Sequence, residues 1–182
     1  MQRTDLSNYS NDWYKPGGTV FKRGLWFCIN ACFLASFFPI SGFKVFLLRL
    51  FGAEVGKGVV IKPCVSIKYP WKLKLGDHVW LGERVWIDNL ELVQIGAHSC
   101  LSQGAFILCG NHNYKKARFD LMIAPVILGE GVWIGAGAIV CPGVTAASHA
   151  VLSAGAVVSR NMDAYWIYQG NPAQKVKERK LE

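Results

Sequence analysis

The sequence predicts an all-β solenoid, in which short strands stack in coils to form a prism. Aliphatic residues return every six positions through the second half of the chain, at Leu128, Ile134, Val140, Ala146, Leu152 and Val158. The same period runs, with interruptions, through the first half, at Val55, Ile61, Ile67, Leu75, Leu81, Ile87, Ile95, Leu101 and Ile107. A short fixed period sustained over about a hundred residues indicates a repeat architecture.

Each hexapeptide keeps two further positions nearly constant, counted from its aliphatic residue as position i. Position i+4 shares a strand face with position i, and it is small or β-branched at Val59, Val65, Val79, Val85, Ala105, Val132, Ala138, Val144, Ala150 and Ala156. Position i+3 is glycine at Gly58, Gly104, Gly110, Gly131, Gly137, Gly143 and Gly155. We therefore expect a narrow apolar interior and corners that require a positive φ.

The interruptions group the hexapeptides in threes, which predicts three strands per coil and about five coils over residues 55–160. Two spacings are longer than six, from Ile67 to Leu75 and from Ile87 to Ile95, and residues 112–126 form a larger inserted loop. All of these extra residues leave from the same edge of the prism. The small residue expected at i+4 is also replaced at that edge, by Trp71, Glu91 and Asn111.

The segments that flank the prism are expected to be helical. Residues 1–54 form an N-terminal cap whose apolar stretch, Leu25–Ile40, is short for a membrane span of about 20 residues. A helical hairpin that covers the end of the solenoid is the first interpretation, and peripheral contact with a membrane through residues 25–51 is the second. Residues 161–182 are predicted to form a C-terminal segment with a helix.

Charge and cysteine content narrow the class of partner and the compartment. The net charge of +8 favours a phosphate-rich ligand, a membrane surface or a nucleic acid. No block of Lys and Arg with interleaved aromatic residues is present, which argues against nucleic acid. The six cysteines form no CxxC pair and no secretory signal peptide precedes them, so we expect reduced thiols and a cytoplasmic protein.

One of the four histidines stands apart from the repeat. His78, His98 and His149 occupy i+3 corner positions, where histidine tolerates a positive φ better than most residues. His112 instead lies at the mouth of the insertion, at the irregular edge, and is the candidate catalytic base. A surface metal pair of His78 and His98, and a Cys109–His112 nucleophile, are the alternatives that these residues leave open.

The segment from Gly110 to Gly143 resembles the hexapeptide-repeat sugar O-acetyltransferases. Gly-Asn-His-Asn-Tyr at 110–114 and Trp-Ile-Gly at 133–135 are its most specific parts, and the ending Gln-Gly-Asn-Pro-Ala at 169–173 also matches. The colanic acid biosynthesis acetyltransferases are the most similar group, with galactoside and maltose acetyltransferases related to them. The resemblance implies a left-handed parallel β-helix and a homotrimer with active sites between subunits.

The resemblance also implies a reaction. His112 would act as general base on a sugar hydroxyl, and the acetyl group of acetyl-CoA would transfer directly, without an acyl-enzyme and without a metal. Asp88 and Asn89, one coil below His112, would contact the acceptor or orient the histidine. Ordinary corner chemistry explains an Asp-Asn pair equally well.

A set of donor-site residues follows from the same resemblance. The N–H of Ala136 would stabilise the oxyanion of the thioester. The residues implied along the groove and near the CoA phosphates are Trp133, Ala154, Ser159, Arg160, Lys175 and Lys177. Relatives often carry Arg or Lys where Gln174 stands, so Lys175 is the substitute. Trp133 and the alanines could also serve coil packing alone.

Two other functions remain as alternatives. A zinc enzyme resembling the γ-class carbonic anhydrases would need three histidines converging on one metal, whereas three of the four lie on corners. A non-catalytic solenoid for assembly or membrane docking would leave His112 without a role. The sequence does not decide the acceptor among free sugars, nucleotide sugars, lipid-linked glycans and xenobiotics.

Overall fold

The computed structural model describes residues 3–182, and its main regular structure is a series of short strands that pair mostly in parallel. The strands are β1 (Glu54–Val55), β2 (Val60–Ile61), β3 (Ser66–Ile67), β4 (Leu73–Leu75), β5 (Trp80–Leu81), β6 (Trp86–Asp88), β7 (Val93–Ile95), β8 (Cys100–Leu101), β9 (Phe106–Leu108), β10 (Gly110–His112), β11 (Leu121–Ile123), β12 (Val126–Leu128), β13 (Trp133–Ile134), β14 (Ile139–Val140), β15 (Thr145–Ala146), β16 (Val151–Leu152), β17 (Val157–Val158), β18 (Trp166–Gln169) and β19 (Gln174–Glu178).

Three sheets form the sides of the prism. The first has the order β1-β4-β7-β12-β15, the second β2-β5-β8-β13-β16-β18-β19, and the third β3-β6-β9-β14-β17. Aliphatic residues of successive coils pair across each sheet, as Ile87 pairs with Ile107 and Ile107 with Val140. The predicted all-β solenoid with three strands per coil is therefore confirmed.

The interior and the corners follow the hexapeptide pattern. The aliphatic residues from Ile61 onwards and the small residues at i+4 are buried. Six of the seven glycines at i+3 have a positive φ; the exception is Gly110, which lies in β10. His78, His98 and His149 take the same left-handed conformation, with φ of 56°, 58° and 61°. These three histidines are corner residues, as predicted.

The insertion is an ordered hairpin. Strands β10 and β11 pair antiparallel, with His112 opposite Leu121 and Gly110 opposite Ile123. The chain then enters β12 of the first sheet, so the hairpin projects from the edge between the third and first sheets. This edge is the irregular one that the spacing predicts.

Two helices cover the first coil, as the helical-hairpin interpretation predicts. They are α1 (Val20–Ile29), which continues as a π-helical turn over Asn30–Leu34, and α2 (Ser41–Leu50). Trp26 is buried against the coil, and its Nε1–H donates to the carbonyl oxygen of Ile67 at 2.9 Å. Among residues 3–182, no helix combines the length and apolar character needed to cross a membrane.

The predicted C-terminal helix is wrong, because residues 166–178 form a hairpin. Strand β18 pairs parallel with β16 and extends the second sheet, and β19 pairs antiparallel with β18. The β-forming residues Trp166–Tyr168 favour a strand, and Gly170 and Pro172 break any helix that would begin there. The free edge of β18 has unpaired backbone N–H and C=O groups, and β19 pairs with them. The residues of β19 have no apolar stripe that would hold a helix against the prism.

Candidate active site

His112 ends strand β10, and its ring is close to two aromatic residues. The ring stacks on that of Phe119, with centroids 4.5 Å apart and an interplanar angle of 6°, and the tilted ring of Tyr9 lies 5.7 Å away. Nδ1 lies 2.8 Å from the carbonyl oxygen of Phe119. A carbonyl oxygen only accepts hydrogen bonds, so Nδ1 carries the hydrogen and the neutral ring keeps its lone pair on Nε2. In this tautomer Nε2 is the nitrogen that can accept a proton.

The imidazole opens into a cavity of about 440 Å³ with a mixed polar and aromatic lining. One wall comes from the segment that precedes α1, residues 3–18, here called the N-terminal arm. The cavity is lined by Tyr9, Asn11, Tyr14, Pro16, Lys68, Tyr69, Leu90, His112 and Leu121. The cavity is large enough for a sugar, and its polar side chains could hydrogen-bond to the hydroxyls of the sugar.

Hydrogen bonds hold the N-terminal arm over the histidine. The N–H of Asp5 donates to the carbonyl oxygen of Ala117 in the hairpin at 2.9 Å. The hydroxyl of Tyr14 donates to the carbonyl oxygen of Leu90 at 2.7 Å, and burial raises the pKa of Tyr14, which keeps the hydroxyl protonated. Trp71 Nε1 donates to the carbonyl oxygen of Pro16 at 2.8 Å. Trp71 therefore departs from the repeat because it anchors the arm.

Asp88 and Asn89 lie one coil below the hairpin, but neither hydrogen-bonds to His112. Asn89 is fully buried, and its amide is used by the backbone of Tyr69, whose N–H donates to Oδ1 at 2.9 Å and whose carbonyl accepts from Nδ2 at 2.6 Å. Asp88 pairs with the ammonium of Lys68 at 2.9 Å. The Phe119 carbonyl contacts His112 in their place, and Asn89 joins two coils. The expected contact of Asp88 or Asn89 with the acceptor stays a prediction.

Cys109 is buried beneath the hairpin, and its Sγ lies 3.9 Å from the carbonyl oxygen of Leu92. Burial raises the pKa of the Cys109 thiol to about 11. The thiol form therefore dominates at neutral pH, and a thiolate nucleophile is disfavoured at this position.

The remaining histidines make contacts expected of corner residues. His78 and His98 stack in successive coils with centroids 5.2 Å apart, and His149 stacks on Tyr165 at 4.7 Å. Within residues 3–182, no group of three or more His, Cys, Asp or Glu side chains is placed to hold a metal ion.

Three of the predicted donor-site residues meet on the second sheet. Trp133, Ala136 and Ala154 line a largely apolar cavity of about 480 Å³ together with Ser102, Gln103, Gly135, Val151, Leu152, Ser153 and Ile167. The indole of Trp133 is half exposed, and its Nε1–H donates to Ser102 Oγ at 2.9 Å. Among the described residues the Ala136 N–H has no acceptor, whereas its carbonyl accepts from Gly155 at 2.8 Å. The free N–H is available for a ligand oxygen.

Of the other four predicted donor-site residues, only Lys177 lies near this cavity. Lys177 lines a neighbouring cavity of about 670 Å³ with Arg179 and Lys180, and Ile167 lines both cavities. Lys175 is occupied by an ion pair with Asp163 at 2.7 Å and lies over the Trp166 ring at 3.8 Å. The remaining two, Ser159 and Arg160, are exposed after β17 of the third sheet and line neither cavity.

Comparisons with known proteins decide the family. No family model matches the chain. Over 176 residues the chain is 39% identical to a protein of Escherichia coli (strain K12) named as the colanic acid biosynthesis acetyltransferase WcaF, covering 96% of this chain and 97% of the relative. A hexapeptide-repeat acetyltransferase of Vibrio cholerae, solved with acetyl coenzyme A, superposes with a TM-score of 0.80 at 19% identity and 88% coverage of both chains. This chain belongs to the hexapeptide-repeat acetyltransferases.

A second solved structure agrees on the fold of this acetyltransferase. Galactoside acetyltransferase in complex with coenzyme A superposes with a TM-score of 0.78 at 21% identity, over 88% of this chain and 82% of that one. The family resemblance that residues 110–143 indicate is therefore confirmed.

The sequence predicts that the loop of residues 114–124 and the N-terminal cap shape the acceptor pocket, but it does not single out three residues around His112. The N-terminal arm supplies Tyr9 and Tyr14, and the hairpin supplies Phe119. The carbonyl of Phe119 is a backbone group, so its residue type carries no signal for this role. The one available signal was Trp71, since a large aromatic residue at an i+4 position implies a partner outside the repeat.

Proposed function

We propose that this acetyltransferase transfers the acetyl group of acetyl-CoA to a hydroxyl of a sugar or a polysaccharide precursor, with His112 as general base. The observation that carries the proposal is the bond between His112 Nδ1 and the Phe119 carbonyl, since it leaves Nε2 as the basic nitrogen beside a cavity of sugar size. The acetyl-CoA bound to the Vibrio cholerae relative and the name of the Escherichia coli relative support the donor and the acceptor class.

In the proposed reaction the acetyl group moves directly from the thioester to the acceptor, through a tetrahedral intermediate. Nε2 of His112 takes the proton of the acceptor hydroxyl as its oxygen attacks the thioester carbonyl. The resulting oxyanion accepts from the free N–H of Ala136. The tetrahedral intermediate then breaks at the carbon–sulfur bond, and CoA leaves as a thiol after receiving the proton from the imidazolium. No covalent acyl-enzyme is required, which agrees with the protonated state of the buried Cys109 thiol.

The proposed donor groove runs along the second sheet. The cavity lined by Trp133, Ala136 and Ala154 has apolar walls that suit the pantetheine arm. The cavity that adjoins it at Ile167 is lined by Lys177, Arg179 and Lys180 together with one acidic residue, Glu178, and its net positive charge suits the CoA phosphates. Arg179 also donates to the carbonyl oxygens of Gly131 and His149. Arg179 and Lys180 are additions to the predicted donor set. Because acetyl-CoA is a cytoplasmic metabolite, the proposed site has to face the cytoplasm.

We further propose that the complete site forms between subunits of a homotrimer. His112 projects from the edge between the third and first sheets, whereas Trp133 lies on the second sheet, and in a triangular prism that side is opposite the edge. The two cavities share no lining residue. One chain therefore supplies the base and a neighbouring chain supplies the donor groove.

The polarity of the prism faces supports this arrangement. Outward residues of the first sheet are mostly polar, such as Glu54, Lys74 and Gln94. Outward residues of the other two sheets are mostly apolar, as with Val60, Trp80, Trp133 and Val151 on the second and Trp86, Phe106, Ile139 and Val157 on the third. Two apolar faces per chain are what a closed ring of three prisms would bury.

Replacement of His112 tests the proposed base. We expect His112→Ala to lower kcat by about 10²- to 10⁴-fold, because the general base is lost while both cavities remain. CoA release from acetyl-CoA is measured with a panel of free sugars, nucleotide sugars and lipid-linked glycans. His98→Ala, which removes an exposed corner histidine, is the matched control and should keep wild-type kcat.

Two outcomes would contradict the proposal. Unchanged kcat in His112→Ala would remove the histidine from the mechanism. Absence of CoA release by the wild-type protein with every acceptor would favour the non-catalytic solenoid.

A further inference from the structure

We propose that the helical cap, residues 19–51, docks this protein on the surface of an anionic phospholipid bilayer. The proposal concerns the end of the prism opposite the C-terminal hairpin, and it does not depend on the proposed reaction. It starts from two helices that are apolar on the face turned to solvent as well as on the face turned to the core.

Helix α1 and its π-helical continuation carry an uncharged stripe along their exposed side. The buried side holds Trp26 and Leu34 against the first coil. The opposite side is exposed and consists only of Val20, Phe21, Gly24, Leu25, Phe27, Cys28, Ala31, Cys32 and Ala35. Phe21 and Phe27 are 78% and 75% exposed. A surface helix normally has charged or polar residues on its exposed side. The exposed side of this helix has none that is charged.

Helix α2 and the connection before it extend the same surface. Phe37 is 80% exposed in the connection, and Phe43, Phe46 and Leu50 line the outer side of α2. Phe43 packs edge to face on Phe33 of the first helix with ring centroids 5.3 Å apart. The exposed side chains of the two helices therefore belong to one contiguous apolar patch, and exposed patches of this kind mark contacts with a membrane or a protein.

Charge selects an anionic membrane as the occupant. From position 13 to position 53 the sequence has no Asp or Glu, while Lys15, Lys22, Arg23 and Arg49 are all at least partly exposed. The fifth basic residue of this segment, Lys44, is buried, and its ammonium donates to the carbonyl oxygen of Lys62, so it is not counted with them. An apolar surface flanked only by positive charge is typical of elements that insert aromatic side chains among lipid tails and attract anionic headgroups. A second copy of the cap would bring these positive charges together at its own interface, which disfavours self-association.

The cap can lie in the membrane interface and does not span it. Among the described residues no helix is long and apolar enough to cross, so the exposed stripe is expected to rest parallel to the surface. His112 follows β9 of the third coil, and the cap covers β1–β3 of the first. With coils stacked about 4.8 Å apart, the histidine lies roughly 10 Å from the coil that the cap covers.

Vesicle binding by the full-length protein tests the proposal. We expect the wild type to sediment with vesicles of phosphatidylethanolamine and phosphatidylglycerol, and to remain in solution with pure phosphatidylcholine vesicles. Phe27→Gln with Phe37→Gln should lower the partition coefficient about 100-fold, because two aromatic side chains no longer enter the bilayer. Leu6→Gln with Leu181→Gln is the matched control, since these residues are also exposed apolar side chains but lie outside the cap.

A second measurement needs no substitution. Cys28 and Cys32 are exposed on the stripe, whereas Cys141 lies on a later coil. The anionic vesicles should slow alkylation of the first two thiols at least tenfold and leave the rate at Cys141 unchanged, as mass spectrometry would show.

Several results would overturn the proposal. The wild type could bind neither kind of vesicle, or the variant with both Phe27 and Phe37 replaced could bind as well as the wild type. The Leu6 and Leu181 control could also lose as much vesicle binding as that variant. Unchanged alkylation of Cys28 and Cys32 would do the same. Cap substitutions that alter only the mass of the assembly, with no vesicle binding, would assign the patch to contact between copies of the chain.

Discussion

His112 and Phe119 are the smallest unit on which the proposed reaction depends. The carbonyl of Phe119 selects the tautomer and its ring supports the imidazole face, so one residue supplies both orientation and packing. The other histidines illustrate the opposite case, because a φ near +60° sets their position and their rings stack on neighbours in the next turn. Residue type alone is thus a poor guide to role; the backbone position distinguishes the base from the corners.

Asn89 is expected to matter for stability and not for catalysis. Asn89→Leu would leave the buried N–H and carbonyl of Tyr69 without partners, at a cost of about 2–4 kcal/mol. In a chain of this size that cost lowers Tm by roughly 5–15 °C, which thermal unfolding would measure. Asp88→Asn, which breaks only the ion pair with Lys68, should cost less than about 1 kcal/mol. If the Asn89→Leu protein had the Tm of the wild type and a much lower kcat, Asn89 would have a catalytic role and not a structural one.

At the scale of the coil, glycine serves two separate physical needs. At i+3 it relieves the backbone at a left-handed corner, whereas at i+1 it allows the next coil to approach. A Cβ on Gly76 would lie 2.5 Å from the backbone nitrogen of Ala97, which no side-chain movement can relieve. A Cβ on Gly104 would have no neighbour nearer than 4.0 Å, although its φ is +66°.

This difference predicts unequal effects of the same substitution. Gly76→Ala should lower the free energy of unfolding by about 3 kcal/mol, because two coils have to separate. Gly104→Ala should cost about 1–2 kcal/mol, the penalty of a left-handed conformation alone. Denaturant unfolding of both variants measures the difference. If both variants lost the same free energy of unfolding, the close approach of the coils at Gly76 would not contribute beyond ordinary backbone strain.

At the scale of the whole molecule, the separation of the two cavities is the basis for the proposed partner chain. The proposed base and the proposed donor groove lie on opposite sides of the prism, and two of its three faces are apolar. On this proposal a single chain exposes both halves of the site without joining them. The assembly expected from this geometry has three times the 20.2 kDa mass of the chain.

Co-expression of two inactive variants tests the shared site. His112→Ala removes the base, and Ala154→Trp fills the groove, so neither variant should be active by itself. In randomly mixed trimers about a quarter of the sites combine an intact base with an intact groove, and activity should recover to about that fraction of wild type. Mixing the two proteins without subunit exchange should recover none. Failure of co-expression to restore activity would place the whole site within one chain.

The sequence by itself determined the coil, the inward face of each strand, the corner residues and the irregular edge that carries His112. These features repeat every six residues, because strand alternation and left-handed corners are local properties of the backbone. Only the tertiary structure decided that the C-terminal segment is a hairpin, that the carbonyl of Phe119 contacts His112, and that Trp71 anchors the N-terminal arm. Each of these depends on a sheet edge or backbone group made available by folding, which the residue pattern does not encode.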